Sequence, residues 1–296
     1  MNLRHTHRTA APLAAVASLS AVLLLGPALP GRAQDKQKPV EPPATWKEHW
    51  FEHDQTLTRV FADDELAVYF DPDVPRDAAP GWIVPFLSKL WKYTKATYGP
   101  FGTEGGRGGR LYAVFHEGRY SGGHPSTYFD ASHDNRDVID SGPGPWSKDR
   151  PAYDIPSHEV AHIVEGASRG VHGSPGWDVW HDSKWAEFFQ YDSYVALGMD
   201  ADAKRLYDRF TSRPDDFPRK GTYWFRDWFY PLWRDHGRGK VMADYFALSA
   251  KYFPKKTEED GKTQGYVRAM NWGEYVHFMS GAAKTDLKPL ATKAFG

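Results

Sequence analysis

The chain has 296 residues, 41% hydrophobic and 15% aromatic, enough apolar surface for a substantial core and too much for global disorder. A formal net charge of −1 argues against a nucleic-acid partner held by phosphate neutralisation. The absence of cysteine excludes a thiolate-held zinc, a thiolate nucleophile, a disulfide framework and a lipidated cysteine.

The N-terminus runs in the order basic, apolar, small. Arg4 and Arg8 precede an uncharged run from Ala10 to Leu25, and Gly31 and Ala33 occupy the −3 and −1 positions of a cut before Gln34. This order predicts a secretory signal peptide over residues 1–33, hence a secreted, extracellular protein. The apolar run is short for a bilayer span and Pro12, Pro27 and Pro30 interrupt its ends, so no stable membrane anchor is expected after cleavage. Residues 34–45, polar and proline-rich, read as a flexible leader to one folded domain over 46–296, with lobes of about 46–170 and 171–296.

Within that domain Thr56–Phe70 alternates as a hairpin around Ala62-Asp63-Asp64. Trp82–Tyr98 has helical apolar spacing and stops at Gly99-Pro100, and Leu111–Phe115 reads as a strand. Ser121–Asn135, rich in Gly, Ser, His and Asp, predicts a loop, followed by a short strand around Val138-Ile139. From Ser157 onward the pattern is helical: Ser157–Ser168, Asp182–Leu197, Ala201–Phe210, Thr222–His236, Lys240–Phe253 and Asn271–Ala282. Trp224, Trp228, Tyr230 and Trp233 fall on helical spacing, which suits a core stripe better than a sugar-binding platform.

The segment His158-Glu159-Val160-Ala161-His162 carries the chemistry. A helix stacks residues four apart on one face, so both imidazoles can bind one Zn²⁺. Glu159 lies one position round, where its carboxylate can take a proton from a water on the metal. Asp154 or Ser157 is placed to cap this helix, and Val160, Ala161, Ile163, Val164 and Ala167 give it a core-facing stripe.

A catalytic zinc needs a third protein ligand and an open position. The motif resembles that of the gluzincin-type zincins, which take this ligand from an acid of the next helix; that resemblance implies Asp182, 20 residues after His162, or Glu187, five further on, ahead of His172, Asp178, His181 and Asp192. The same resemblance implies a Tyr or His that donates to the developing oxyanion, for which Tyr223, His236, His172, Tyr230 and His277 are candidates.

On these residues the chain resembles the zincin metallopeptidases of gluzincin type, chiefly over residues 155–192. The spacing to Asp182 is similar to that of the thermolysin-like members, with aspartate where they use glutamate. The end of the chain, Ser280–Leu287 and Ala294-Phe295-Gly296, faintly resembles the basic secretory protein peptidases. The metzincin pattern fails, because Glu165 and Ser168 stand where it needs glycine and histidine. The resemblance implies an α+β fold: an N-terminal mixed sheet-plus-helix lobe, the HExxH active-site helix, and a mostly helical C-terminal lobe. It also implies an edge strand, placed at Val138-Ile139, that holds a peptide or protein substrate by strand addition. The expected activity is secreted, zinc-dependent peptide-bond hydrolysis with one catalytic ion. A zinc amidase or cell-wall peptide hydrolase, and a non-catalytic secreted binding protein, are the alternatives.

Overall fold

Residues 41–102 and 109–296 are described by a computed structural model of the chain. The expected signal peptide and the leader as far as residue 40 lie outside them. The end of the leader is not loose: the carbonyls of Pro42 and Pro43 accept hydrogen bonds from Arg59 and Tyr69.

The fold is α+β. Strands β1 (Thr45–Lys47), β2 (Thr56–Ala62) and β3 (Leu66–Phe70) form an antiparallel meander. Helix α1 (Val84–Tyr98) crosses over to β4 (Leu111–Phe115), which pairs parallel with β3. Next come β5 (Gly122–Ser126) and β6 (Asp137–Gly142), giving a six-stranded sheet of order β1-β2-β3-β4-β6-β5. The apolar runs LAVYF and LYAVF are explained by burial on both faces. Leu66, Val68, Phe70, Leu111, Ala113, Phe115 and Ile139 join the main core with the helices. Their neighbours Ala67, Tyr69, Tyr112, Val114 and Val138 turn to the other face and close a smaller core with Trp46, Trp50 and Leu57.

Two expectations are corrected here. The segment expected as loop contains β5, and the strand expected at the edge, β6, is interior, paired with β4 on one side and β5 on the other. Glycine and proline hide β5 from a propensity reading, but an edge position tolerates both.

Helix α2 (Asp154–Ala167) packs across β5 and β6, and α3 (Trp177–Ala196) packs on α2. The expected side-chain cap of α2 does not form: Asp154 is already helical. Its carboxylate instead holds Arg205 at 2.8 and 2.9 Å and accepts from Tyr194 at 3.0 Å, and Ser157 donates back to the carbonyl of Tyr153. The C-terminal part comprises α4 (Asp200–Thr211), α5 (Tyr230–Asp235), α6 (Gly239–Tyr252), α7 (Trp272–Ala283) and α8 (Lys288–Phe295). A small sheet of order β7-β9-β8 joins β7 (Val171–His172), β8 (Lys255–Thr257) and β9 (Gln264–Tyr266). Trp224, Trp228 and Trp233 are buried in the core. No helix among the described residues is long and apolar enough to cross a membrane.

Candidate metal centre

Helix α2 turns its apolar stripe to the sheet and presents His158 and His162 toward the start of α3. The two helices are locked by Trp185, whose indole N–H donates to the carbonyl of Ala161 at 2.8 Å. Helix α3 is broken at His181, whose backbone (φ 50°, ψ −161°) lies in a region that side-chain-bearing residues rarely occupy. The break re-aims the chain so that a new helical segment starts at Asp182.

That placement brings three ligand-type atoms together. His162 Nε2 lies 3.1 Å from His158 Nε2 and 3.2 Å from Asp182 Oδ1. Metal–ligand bonds of 2.0–2.1 Å in tetrahedral array put ligand atoms about 3.3 Å apart, so these separations match a shared ion. On its other nitrogen His162 meets Glu165 Oε2 at 3.0 Å. With Nδ1–H donating there, Nε2 presents its lone pair to His158 and Asp182. Glu165 is itself fixed by Ser174 at 3.0 Å and by the indole of Trp180. These three atoms can share a metal ion, and two imidazoles with one carboxylate are a donor set that suits Zn²⁺.

The electrostatics are those of a crowded, half-dry site. Burial, with His162 beside it, lowers His158 to about 4. Burial opposes charge on His162, but hydrogen bonds to Asp182 and Glu165 outweigh it and push that group up to about 10. The hydrogen bond to His162 draws Asp182 below the ordinary carboxylate range. Glu159 is only 5% exposed, and burial pushes its carboxyl up to about 7.

Glu159 lies against β5. A Cβ added at Gly123 would fall 2.7 Å from its Oε1 and 2.9 Å from its Cδ and Cγ, so only glycine allows this approach. A cleft of about 750 Å³ is lined by His162 and Asp182, with Glu165 behind them. Pro125 and Ser126 of β5 form one part of its wall, and Phe129, His172 and Trp177 add aromatic surface.

The other sequence candidates are placed as follows. Glu187 faces away from the pair of histidines and accepts from Lys184 at 2.7 Å, while Lys184 also reaches Asp215 at 2.6 Å. Asp192 is buried under the hydroxyls of Tyr93 and Tyr98 and the indole of Trp233. The His181 ring packs on Phe217, and Asp178 lines the cleft. His172 also lines the cleft, with Nδ1 2.9 Å from Glu258 Oε1. Tyr223 lies under the Arg226 guanidinium and His236 ends α5; neither borders the cleft. Tyr230 stacks on Trp233, and His277 lines a different groove between α7 and α8.

Sequence reasoning did not find Gly123, Glu165 or Trp177. Glu165 carried a signal, three residues beyond His162 on the same helix face. Gly123 carried none, since its role arises from a sheet pairing. A second group of metal-ligand type, Glu48, His53, His116 and Asp140, is fully buried and can also hold an ion.

A scan against protein-family models gives no match, and a search among curated proteins finds no relative.

Proposed function

We propose that the protein is a secreted zinc metallopeptidase of gluzincin type, with His158, His162 and Asp182 as metal ligands and Glu159 as general base. One observation carries the reading: two histidines of an HExxH helix and an exposed acid of the next helix meet at ligand-to-ligand distance beside a buried glutamate. Export rests on the sequence of residues 1–33.

Zinc held by His158, His162 and Asp182 would supply Lewis acidity to the substrate carbonyl and to the attacking water. The chain's own residues do the rest. Glu165 keeps His162 in the tautomer that leaves Nε2 free for the metal. The open edge of β5 offers backbone groups to an extended peptide, which adds as a further strand. Pro125 removes one donor from that edge and fixes which hydrogen bonds remain. Glu159, held against Gly123, accepts the proton of the attacking water and returns it to the leaving amine nitrogen as the C–N bond breaks. Of the five donor candidates His172 is the one that borders the cleft, and it is assigned to the carbonyl oxygen as charge develops there. Phe129 and Trp177 supply an apolar surface for a substrate side chain.

The test is hydrolysis of a fluorogenic peptide mixture by wild type and by Glu159→Gln, with zinc counted in both. Wild type should cleave, lose activity to a chelator and regain it with zinc. Glu159→Gln should keep its zinc and lose about 10²–10⁴ in rate. Equal rates in the two proteins would refute the assignment of Glu159.

A further inference from the structure

On the face of the sheet opposite α2, four side chains distant in sequence converge. Glu48 and His53 come from the segment joining β1 to β2, His116 follows β4, and Asp140 lies in β6. All four are more than nine-tenths buried, with Glu48 1%, His53 7%, His116 0% and Asp140 2% exposed. His116 Nε2 is 2.9 Å from Glu48 Oε1 and 3.2 Å from Asp140 Oδ1. His53 Nδ1 is 3.1 Å from Asp140 Oδ2 and 3.5 Å from Glu48 Oε1.

Two further observations point to an ion. His116 Nε2 and Glu48 Oε1, though close, make no hydrogen bond of acceptable geometry to any partner among the described residues. Buried polar atoms are rarely left so, and two of them aimed at a common point mark a missing partner. The far nitrogen of His116 is already fixed: Nδ1 lies 2.9 Å from Asp71 Oδ2, and Asp71 is steadied by Arg119 at 3.2 Å. A carboxylate on one imidazole nitrogen, with the other facing further ligand-type oxygens, is the arrangement that supports a metal-ligating histidine. The separations of 2.9–3.5 Å, taken to one or the other Asp140 oxygen, lie near the edge of about 3.3 Å expected for tetrahedral ligands. With an ion bound, both imidazoles would be neutral and the two carboxylates would balance a divalent charge, which offsets the cost of burying two acids together.

We propose that Glu48, His53, His116 and Asp140 form a second metal site, holding a divalent transition-metal ion of the zinc type. With four protein ligands and no solvent opening, it is structural. Its place in the fold gives it a task. In the β5–β6 ladder His124 pairs with Asp140, while the preceding Gly123 turns to the other face and touches Glu159. The ion therefore pins the segment after β1, the end of β4 and the middle of β6 directly behind the strand that borders Glu159.

The experiment counts zinc in purified, zinc-reconstituted protein after dialysis, comparing wild type with His158→Ala/His162→Ala. Two ions per chain falling to one in the double variant is the expected result, and adding Glu48→Gln should remove that one. If the double variant fails to fold, Asp182→Ala, at an exposed position, serves in its place. One ion in wild type, still present in the double variant, would support this site and refute the one on α2. One ion falling to none in a cooperatively folded variant would overturn the proposal, leaving the cluster as a closed network of imidazolium and carboxylate. No ion in wild type would overturn both. A second readout is amide hydrogen exchange in β5 and β6 of the double variant. It should quicken when the remaining ion is chelated, and unchanged protection would contradict the clamp.

Discussion

At the scale of single residues, the chemistry rests on a close approach that a one-atom change would disturb. Gly123 is needed for space rather than for backbone freedom, because its Cβ would overlap the Glu159 carboxylate. Gly123→Ala should therefore displace Glu159 and lower kcat at least tenfold while the bound zinc is retained; unchanged kcat would mean that the carboxylate does not work from this position. The residues of α2 were legible because helical periodicity stacks His158 on His162 whatever surrounds them. Asp182 and Glu187 were not separable from sequence. The decision lies in the backbone break at His181, which turns Asp182 to the histidines, and in Lys184, which takes the Glu187 carboxylate. Neither is written in a local pattern.

At the scale of elements, the helices are more legible in the sequence than the strands around the site. Lys240–Phe253 and Asn271–Ala282 were placed to within a residue or so of α6 and α7, since their apolar faces pack on the core at regular intervals. Strand β5, with the sequence GGHPS, has no such signature and exists because β6 offers it a partner. The short β1 and the last helix α8 were missed for a similar reason: each is held by packing of Trp46 or Phe295 rather than by periodicity. Helix α7 allows a check on local energetics. Asn271 Oδ1 accepts from the backbone N–H of Glu274 at 2.9 Å, and Glu274 Oε2 accepts from that of Asn271 at 3.0 Å. The Arg268 side chain and the Asn271 backbone N–H draw Glu274 from its ordinary 4.5 down to about 2. A carboxyl lowered in the folded state adds stability that is full above its unfolded pKa and lost as pH falls through the folded one. Unfolding midpoints should thus drop between pH 4.5 and 2 by a component that Glu274→Gln abolishes. Asn271→Ala should cost about 1 kcal/mol in denaturant titration at neutral pH. Identical acid profiles for wild type and Glu274→Gln would show that the cap carries no such linkage.

At the scale of the whole molecule, strand alternation sorts two different chemistries onto the two faces of one sheet edge. Gly123 and Ile139 turn toward α2, the cleft and the main core, while His124 and Asp140 turn toward the arm that carries Glu48 and His53. The α+β class and the division into a sheet-bearing part followed by helices were legible, because hydrophobic period changes from two to 3.6 near residue 154. The buried cluster was not, since its members stand at positions 48, 53, 116 and 140 and meet only when the sheet closes. The central claim is that His158, His162 and Asp182 share one ion beside Glu159. Anomalous diffraction at the zinc absorption edge, from crystals of the zinc-loaded protein, tests it most directly. The account predicts a peak about 2.0–2.1 Å from His158 Nε2, His162 Nε2 and an Asp182 oxygen. A zinc-loaded crystal with no peak between those three side chains would contradict it.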